Sequence, residues 1–395
     1  MKIFVLLSRI PWPLEKGDKL RAFHQIKELA STHEIVLCAL NSKATTDKEA
    51  AFRALQPYCV SINFIDLPFT GIMFNVFKAW ISGKPLQTGY FYNKRAASKT
   101  EKLISLHKPD VLYGQLLRVA EYIRYSKLPK ALDYQDVFSK GVQRRKEIAA
   151  FFLKPFFHME YKRLLRYEAS IFDDFDVKTI ISIPDRDLIP HPDNQQILII
   201  PNGVDQEFFQ PRDIPKRYDI VFIGNMAYPP NVDAALFLVR EIMPYVWKEL
   251  PQATVLIAGA TPDKQVRALA SDKVIISGWI DDIRDAYAAA KVFIAPMRIG
   301  TGLQNKLLEA MSMQLPSITT PLAHSALGGR IGEEILVGDT AAELADSVVH
   351  LLTDTEFAQR IARQGQDFVK QEYHWTSSTQ LLIKAMSKMK DAHTK

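Results

Sequence analysis

Short apolar runs alternate with helical stretches along this chain, and after a proline-bearing break the alternation starts again. The runs at 2–7, 34–40, 60–66, 110–113 and 130–134 are apolar and rich in β-branched residues, with helical patterns at 18–30, 47–55 and 96–106. A strand buried on both faces reads as a continuous apolar run, so this pattern predicts a parallel sheet covered by helices on both sides. Residues 197–205 (ILIIPNGVD) close the first series, and 207–216, polar and carrying Pro211 and Pro215, read as a linker. A second series follows at 219–226, 254–258, 274–277, 292–295 and 317–320, and the chain then turns helical from 343 to 390. The expected fold class is α/β, with two doubly wound, Rossmann-like domains. A length of 395 residues fits two domains of ordinary size.

In such sheets a ligand sits off the carboxyl ends of the strands. The stretch 295–311 (APMRIGTGLQNKLLEAM) follows the run 291–295 and carries Gly300 and Gly302, which let a backbone approach a ligand closely. Leu303, Leu307, Ala310 and Met311 then recur at helical spacing. Strand, glycine turn and helix N-terminus make a corner whose free N–H groups and dipole favour an anion. Lys306 adds a positive charge and Arg298 can add a second. Asn305, Lys306 and Glu309 share one helix face. The Glu309 carboxylate suits a pair of sugar hydroxyls, and phosphate beside ribose describes a nucleotide. The structural alternative is an ordinary α/β corner, with Thr301 as helix cap and Lys306 paired to Glu309. In the first half, Lys16 and Gly17 stand just before a helix and offer another anion contact.

Bulk properties exclude several classes. No run of 18 or more apolar residues exists, so no membrane-spanning helix is expected. The start of the chain is too short and too soon charged for a signal peptide, and Cys38 and Cys59 sit in apolar runs, so a cytoplasmic protein without disulfide or metal pair is expected. Charge is uneven: residues 1–207 hold 30 Lys and Arg against 23 Asp and Glu, and the remainder 20 against 21. A basic first half suggests an anionic surface or substrate there, or simply a solvated face. Two segments, 68–80 and 148–166, interleave Phe, Met and Trp with Lys and Arg, the composition of an interfacial, membrane-touching surface or of core.

The local sequences narrow the reading. IPNGVDQEFF (200–209) resembles the interdomain signature of glycosyltransferase family 4. IGNM (223–226), PNVDA (230–234), GWIDDI (278–283) and RIGTGLQNKLLEAM (298–311) are similar to its donor-domain blocks. IPWPLEKGDKLRAFH (10–24) resembles the first loop of a bacterial subgroup associated with exopolysaccharide synthesis. The resemblance implies a GT-B fold: domains 1–207 and 208–375 facing each other across a cleft, and a C-terminal helix, 376–395, returning to the first. It implies retaining transfer of a sugar from a nucleotide-activated donor, UDP- or GDP-linked, to a glycan or lipid-linked acceptor. Neither a metal nor a nucleic acid is expected. The first domain would bind the acceptor, with peripheral contact to an anionic membrane, and the second the donor.

Carried over residue by residue, the resemblance gives Glu309 the ribose. Lys306, Arg298 and the backbone of Gly300, Thr301, Gly302 and Leu303 take the diphosphate, and Asn305 is counted among the nucleotide-binding residues. Trp279 and Ile280 line the base pocket, and Gly224 and Asn225 lie near the phosphates. Two positions depart from the family pattern: Thr301 stands where a first glutamate is usual, and Asn225 where many relatives carry a phosphate-binding arginine. Lys306 and Arg298 would stabilise the charge that grows on the leaving diphosphate. Asp136, at the end of a first-domain strand, is the candidate contact to acceptor or donor sugar, or a cap for the next helix; Asp18 is a second candidate. Asp174-Phe-Asp176 and Asp185-Arg-Asp187 match a metal-binding Asp-x-Asp, but no nucleotide-type corner adjoins either. Asp281 and Asp282 read as helix caps. The rival functions are a sugar-nucleotide epimerase, for which the chain shows no acid–base set, and a non-catalytic nucleotide-sugar-binding protein or assembly partner.

Overall fold

A computed structural model describes residues 1–14, 16–43, 45–299 and 302–394, with the backbone alone at 148 and 394. The chain divides into two compact units, Met1–Pro201 with Trp375–Lys395, and Asn202–His374.

The first unit is a seven-stranded parallel sheet. Its strands are β1 (Lys2–Leu7), β2 (Glu34–Asn41), β3 (Ser61–Asp66), β4 (Val111–Gln115), β5 (Lys130–Gln135), β6 (Val177–Ile180) and β7 (Leu198–Ile199), in the order 3-2-1-4-5-6-7. Side chains on successive strand positions point to opposite faces. Phe4 and Leu6 therefore join one core with Val36, Leu112 and Leu132, while Ile3, Val5 and Leu7 join another with Ile35 and Leu37. Leu382 and Met386 of the helix Trp375–Thr394 complete the second core, which seats the end of the chain on this unit. Arg21 and Asp133 form an ion pair of 2.7 Å with both side chains wholly buried, and Thr179 donates a further hydrogen bond to Asp133. Residues 137–170, helical in composition, form two helices, Phe138–Ile148 and Lys154–Ser170. Pro155 explains the break: proline cannot continue a helix but is favoured in a first turn.

The second unit has six parallel strands, β8 (Tyr218–Ile223), β9 (Val255–Ala258), β10 (Val274–Gly278), β11 (Ala290–Ala295), β12 (Ser317–Thr319) and β13 (Leu336–Val337), in the order 10-9-8-11-12-13. Each sheet runs outward from its first strand in both directions. The order reverses between β1 and β4 in one unit and between β8 and β11 in the other. Crevices at the carboxyl ends of such strand pairs are where doubly wound sheets bind ligands.

Candidate functional site

In the second unit, that crevice gathers the residues singled out in sequence. β8 ends at Ile223 and is followed by Gly224 and Asn225. A Cβ on Gly224 would lie 2.6 Å from the Asn231 amide nitrogen, and one on neighbouring Gly259 only 1.8 Å from the Gly224 carbonyl oxygen. Gly259 also has φ +135°, so glycine at both places is required by close backbone approach. Asn231, in the first turn of the helix Pro229–Phe237, donates to the Asn225 carbonyl oxygen at 2.9 Å and accepts from the Lys306 ammonium at 2.6 Å.

On the other side, β11 leads to the helix Asn305–Ser312. Gly302 is described with φ +81°, a conformation that suits glycine; Gly300 and Thr301 lie outside the described residues. Leu303 packs against the core. Lys306 points inward, 4.8 Å above the Phe222 ring, and among the described residues it forms no ion pair. Burial pushes its pKa down to about 7, against the opposing pull of Glu309. Lys306 and Glu309 thus do not form the surface pair that the structural alternative supposed. Instead, Tyr287 donates its hydroxyl to Glu309 Oε2 at 2.7 Å. Burial raises the Glu309 pKa, while Tyr287 and Lys306 oppose the rise. Asn305 accepts a hydrogen bond from Asn202 at 3.2 Å.

Arg298 has another engagement. It forms ion pairs of 2.9 Å with Asp233 and 3.1 Å with Glu241, its guanidinium lying 4.1 Å above the Phe237 ring. Its charge is already offset, so it does not stand as a spare cation in place of the arginine missing at Asn225. The Asn225 side chain caps a turn by accepting from Ala227 N–H. Trp279 is exposed and its indole donates to Asp281, while Ile280 packs against the core. Asp282 caps the helix Ile283–Ala288, and the guanidinium groups of Arg284 and Arg212 hold its pKa far down.

In the first unit, Gly17 opens the helix Gly17–Leu29, and a Cβ there would meet nothing within 4 Å. Asp136 is exposed after β5, with Oδ1 accepting its neighbour Val137 N–H. It does not cap the helix Phe138–Ile148, whose cap position is Val137. Asp18 pairs with Arg9 at 2.9 Å. Asp174 pairs with Arg124, Asp176 accepts the Lys130 N–H, and Asp185 accepts from Ser182. Among the described residues no group of three His, Cys, Asp or Glu is placed to hold a metal ion.

Asn231 and Tyr287 went unread as site residues in the sequence. Asn231 lies inside a quoted block, PNVDA, and could have been found there; Tyr287 sits among alanines that read as core.

Comparisons with known proteins fall on the same features. Residues 217–354 match the family model of glycosyl transferases group 1. Along the whole length, the chain is 22% identical over 396 residues to an uncharacterized 44.6 kDa protein in the cps region of Klebsiella pneumoniae, covering 94% of this chain and 96% of that one. Among solved structures it is similar to HepE of Anabaena in complex with UDP and glucose (TM-score 0.69, 15% identity, 98% of this chain and 100% of that one). It is likewise similar to sucrose-phosphate synthase of Thermosynechococcus elongatus (TM-score 0.72, 14% identity, 99% and 100%). The fold of this chain is therefore the GT-B arrangement of two Rossmann-like units.

Proposed function

We propose that this protein is a retaining glycosyltransferase that moves a sugar from a nucleotide-activated donor, held by the second unit, to an acceptor glycan held by the first, in bacterial surface or exopolysaccharide synthesis. The observation that carries the reading is the pair formed by Lys306 and Glu309 at the crevice between β8 and β11. A half-buried ammonium that forms no ion pair among the described residues is costly, and a diphosphate would supply a partner for its charge. The carboxylate, held on one oxygen by Tyr287, keeps its other oxygen for ribose hydroxyls; among the described residues that oxygen has no donor.

As the bond from sugar to diphosphate breaks, negative charge collects on the leaving group. Lys306 and the first-turn N–H groups of the helix Asn305–Ser312 are fixed where they can meet it, which is the efficient form of electrostatic catalysis. Asn231 holds the lysine in place, and Gly224, Asn225, Gly302 and Leu303 are assigned to the diphosphate. Gly300 and Thr301 are assigned to the same backbone contact, Asn305 to orienting the helix end, and Trp279 and Ile280 to the base. Arg298 contributes only if it gives up Asp233 and Glu241. Asp136 is assigned to contact with the acceptor or donor sugar, and Gly17 to the nucleotide.

The solved relative in complex with UDP and glucose makes UDP-glucose the first donor to try. The purified protein should bind UDP and release it slowly from UDP-glucose without acceptor, and EDTA in excess should leave that rate unchanged. An epimerised sugar in place of released UDP would reassign the enzyme. Binding without turnover, under any acceptor tried, would favour a nucleotide-sugar-binding protein.

Peripheral membrane placement of the first unit is part of the same proposal. The helix Phe69–Ile81 exposes Phe69, Met73, Phe74, Phe77, Trp80 and Ile81, and Phe151, Phe152 and Phe156 are exposed as well. No helix among the described residues is long and apolar enough to cross a membrane.

A further inference from the structure

The first unit has its own crevice, where β1 and β4 part, and the side chains there are not satisfied by the fold. β4 ends in Gln115, and Leu116 follows with φ +68°, an uncommon conformation for a branched, buried residue. That turn launches the short helix Leu117–Val119 and with it Arg118. The guanidinium of Arg118 lies between two rings, 4.9 Å from Phe91 and 4.7 Å from Phe138, and its Nε donates to Gln87 at 3.1 Å. Among the described residues it forms no ion pair, and its two terminal amino groups have no acceptor. Burial brings its pKa down to about 10, the charges of Arg9 and Arg145 adding to the effect and those of Asp18 and Asp136 opposing it.

A guanidinium held against two rings, with its terminal amino groups unpaired among the described residues, is a preformed fork for a carboxylate or phosphate. The surroundings also ask for a ligand. Gln115 is 97% buried, with its amide nitrogen lacking an acceptor, and Gln135, at the end of adjacent β5 with φ +61°, is 94% buried with its amide oxygen lacking a donor, among the described residues. Buried polar atoms are nearly always paired, so one donor and one acceptor unpaired at the carboxyl ends of adjacent strands mark a place where something else binds.

We propose that Arg118 is the specificity-determining contact for an anionic acceptor: its edge takes a carboxylate or phosphate on the acceptor glycan, while Gln115 and Gln135 pair with neighbouring hydroxyls. This rests on the first unit being the acceptor side of a glycosyltransferase. The same chemistry is offered by a sugar acid and by a sugar phosphate, so the test uses both.

Binding of glucuronic acid, glucose 1-phosphate and methyl glucoside to the full chain is measured by calorimetry or NMR titration, with UDP measured in parallel. The wild type should prefer at least one charged probe to the neutral one by tenfold or more. Arg118→Gln should erase that preference, and Arg118→Lys, which keeps charge but loses the fork, should keep only part of it. Preference for the acid over the phosphate places a sugar acid in the acceptor; the reverse places a phosphate there. UDP affinity should be the same in all three proteins, and equal thermal unfolding profiles and far-UV circular dichroism show that the first unit is folded in each. The inference is overturned if no charged probe binds the wild type, if charged and neutral probes bind equally, or if Arg118→Gln retains the preference. Failure of UDP to bind the wild type would instead strike the donor reading, leaving the anion contact to be judged by the charged probes alone.

Discussion

Lys306 and Glu309 are held in states that a ligand should change. With its pKa near 7 in the free protein, Lys306 is charged below that pH and neutral above it. A bound diphosphate raises the pKa, so the protonated form is the one that binds, and affinity is full at low pH and falls as pH rises. The slope approaches roughly tenfold per pH unit until the ligand-bound pKa is reached. Titrating UDP affinity from about pH 6 to about pH 9 checks this, with Lys306→Arg, which does not titrate there, as the reference. A wild-type profile parallel to that of the variant would remove the lysine from the phosphate. Glu309→Gln should keep the fold and weaken UDP binding by about 1–3 kcal/mol, the worth of a charged hydrogen-bond pair. Tyr287→Phe removes a donor to that carboxylate, a bond worth about 1.5–3 kcal/mol, and should weaken UDP binding by no more than that. An unchanged affinity in Glu309→Gln would withdraw the ribose assignment. The lysine, the glutamate and their common helix face were legible because they lie three residues apart. Their contacts with Tyr287 and Asn231 were not, since these span separations of 22 and 75 residues that only the closed sheet brings together.

At the scale of elements, the strands were legible because parallel strands are buried on both faces and leave continuous apolar runs. The helix break before Pro155 was not, because 137–170 is helical in composition on both sides of it. The buried pair of Arg21 and Asp133 was not either: Arg21 sits in a quoted motif and Asp133 in the run 130–134, but nothing in sequence says that β5 delivers the carboxylate to a helix 112 residues away. This pair ties the helix Gly17–Leu29 to the sheet, beside the crevice that holds Arg118. Breaking it leaves a wholly buried guanidinium uncompensated, so Asp133→Ala should cost about 3–5 kcal/mol. Replacing both partners with apolar residues, Arg21→Met with Asp133→Leu, should recover most of that loss. Chemical denaturation of the three proteins decides it; a single variant as stable as wild type would mean that the pair is not buried in solution.

On the scale of the whole molecule, the charge is more divided than the sequence halves imply. The helix Trp375–Thr394 belongs to the first unit, which therefore holds 34 Lys and Arg against 22 Asp and Glu, while the second holds 16 against 22. On the positive unit, the apolar face of the helix Phe69–Ile81 lies in a stretch, 67–100, that contains no Asp or Glu and carries Lys78, Lys84, Lys94, Arg95 and Lys99. Arg163, from the second aromatic segment, donates to the Trp80 carbonyl oxygen at 2.9 Å, so the two segments adjoin. Each cation near an anionic bilayer contributes about 1 kcal/mol, and exposed rings add burial in the headgroup region. The protein should therefore sediment with phosphatidylglycerol-containing vesicles at low salt and not with pure phosphatidylcholine. High salt should release it, because the attraction between charges is screened. Lys154→Glu with Lys162→Glu should weaken binding without touching the fold, since both side chains are exposed. Arg163 is left in place because it clamps Trp80. Phe74→Ser with Phe77→Ser tests the rings separately and should weaken binding while leaving UDP affinity unchanged. Equal sedimentation with both kinds of vesicle, or none with either, would make a soluble acceptor the better reading. A concentration-dependent dimer abolished by the phenylalanine substitutions would give this face to a second copy of the chain instead.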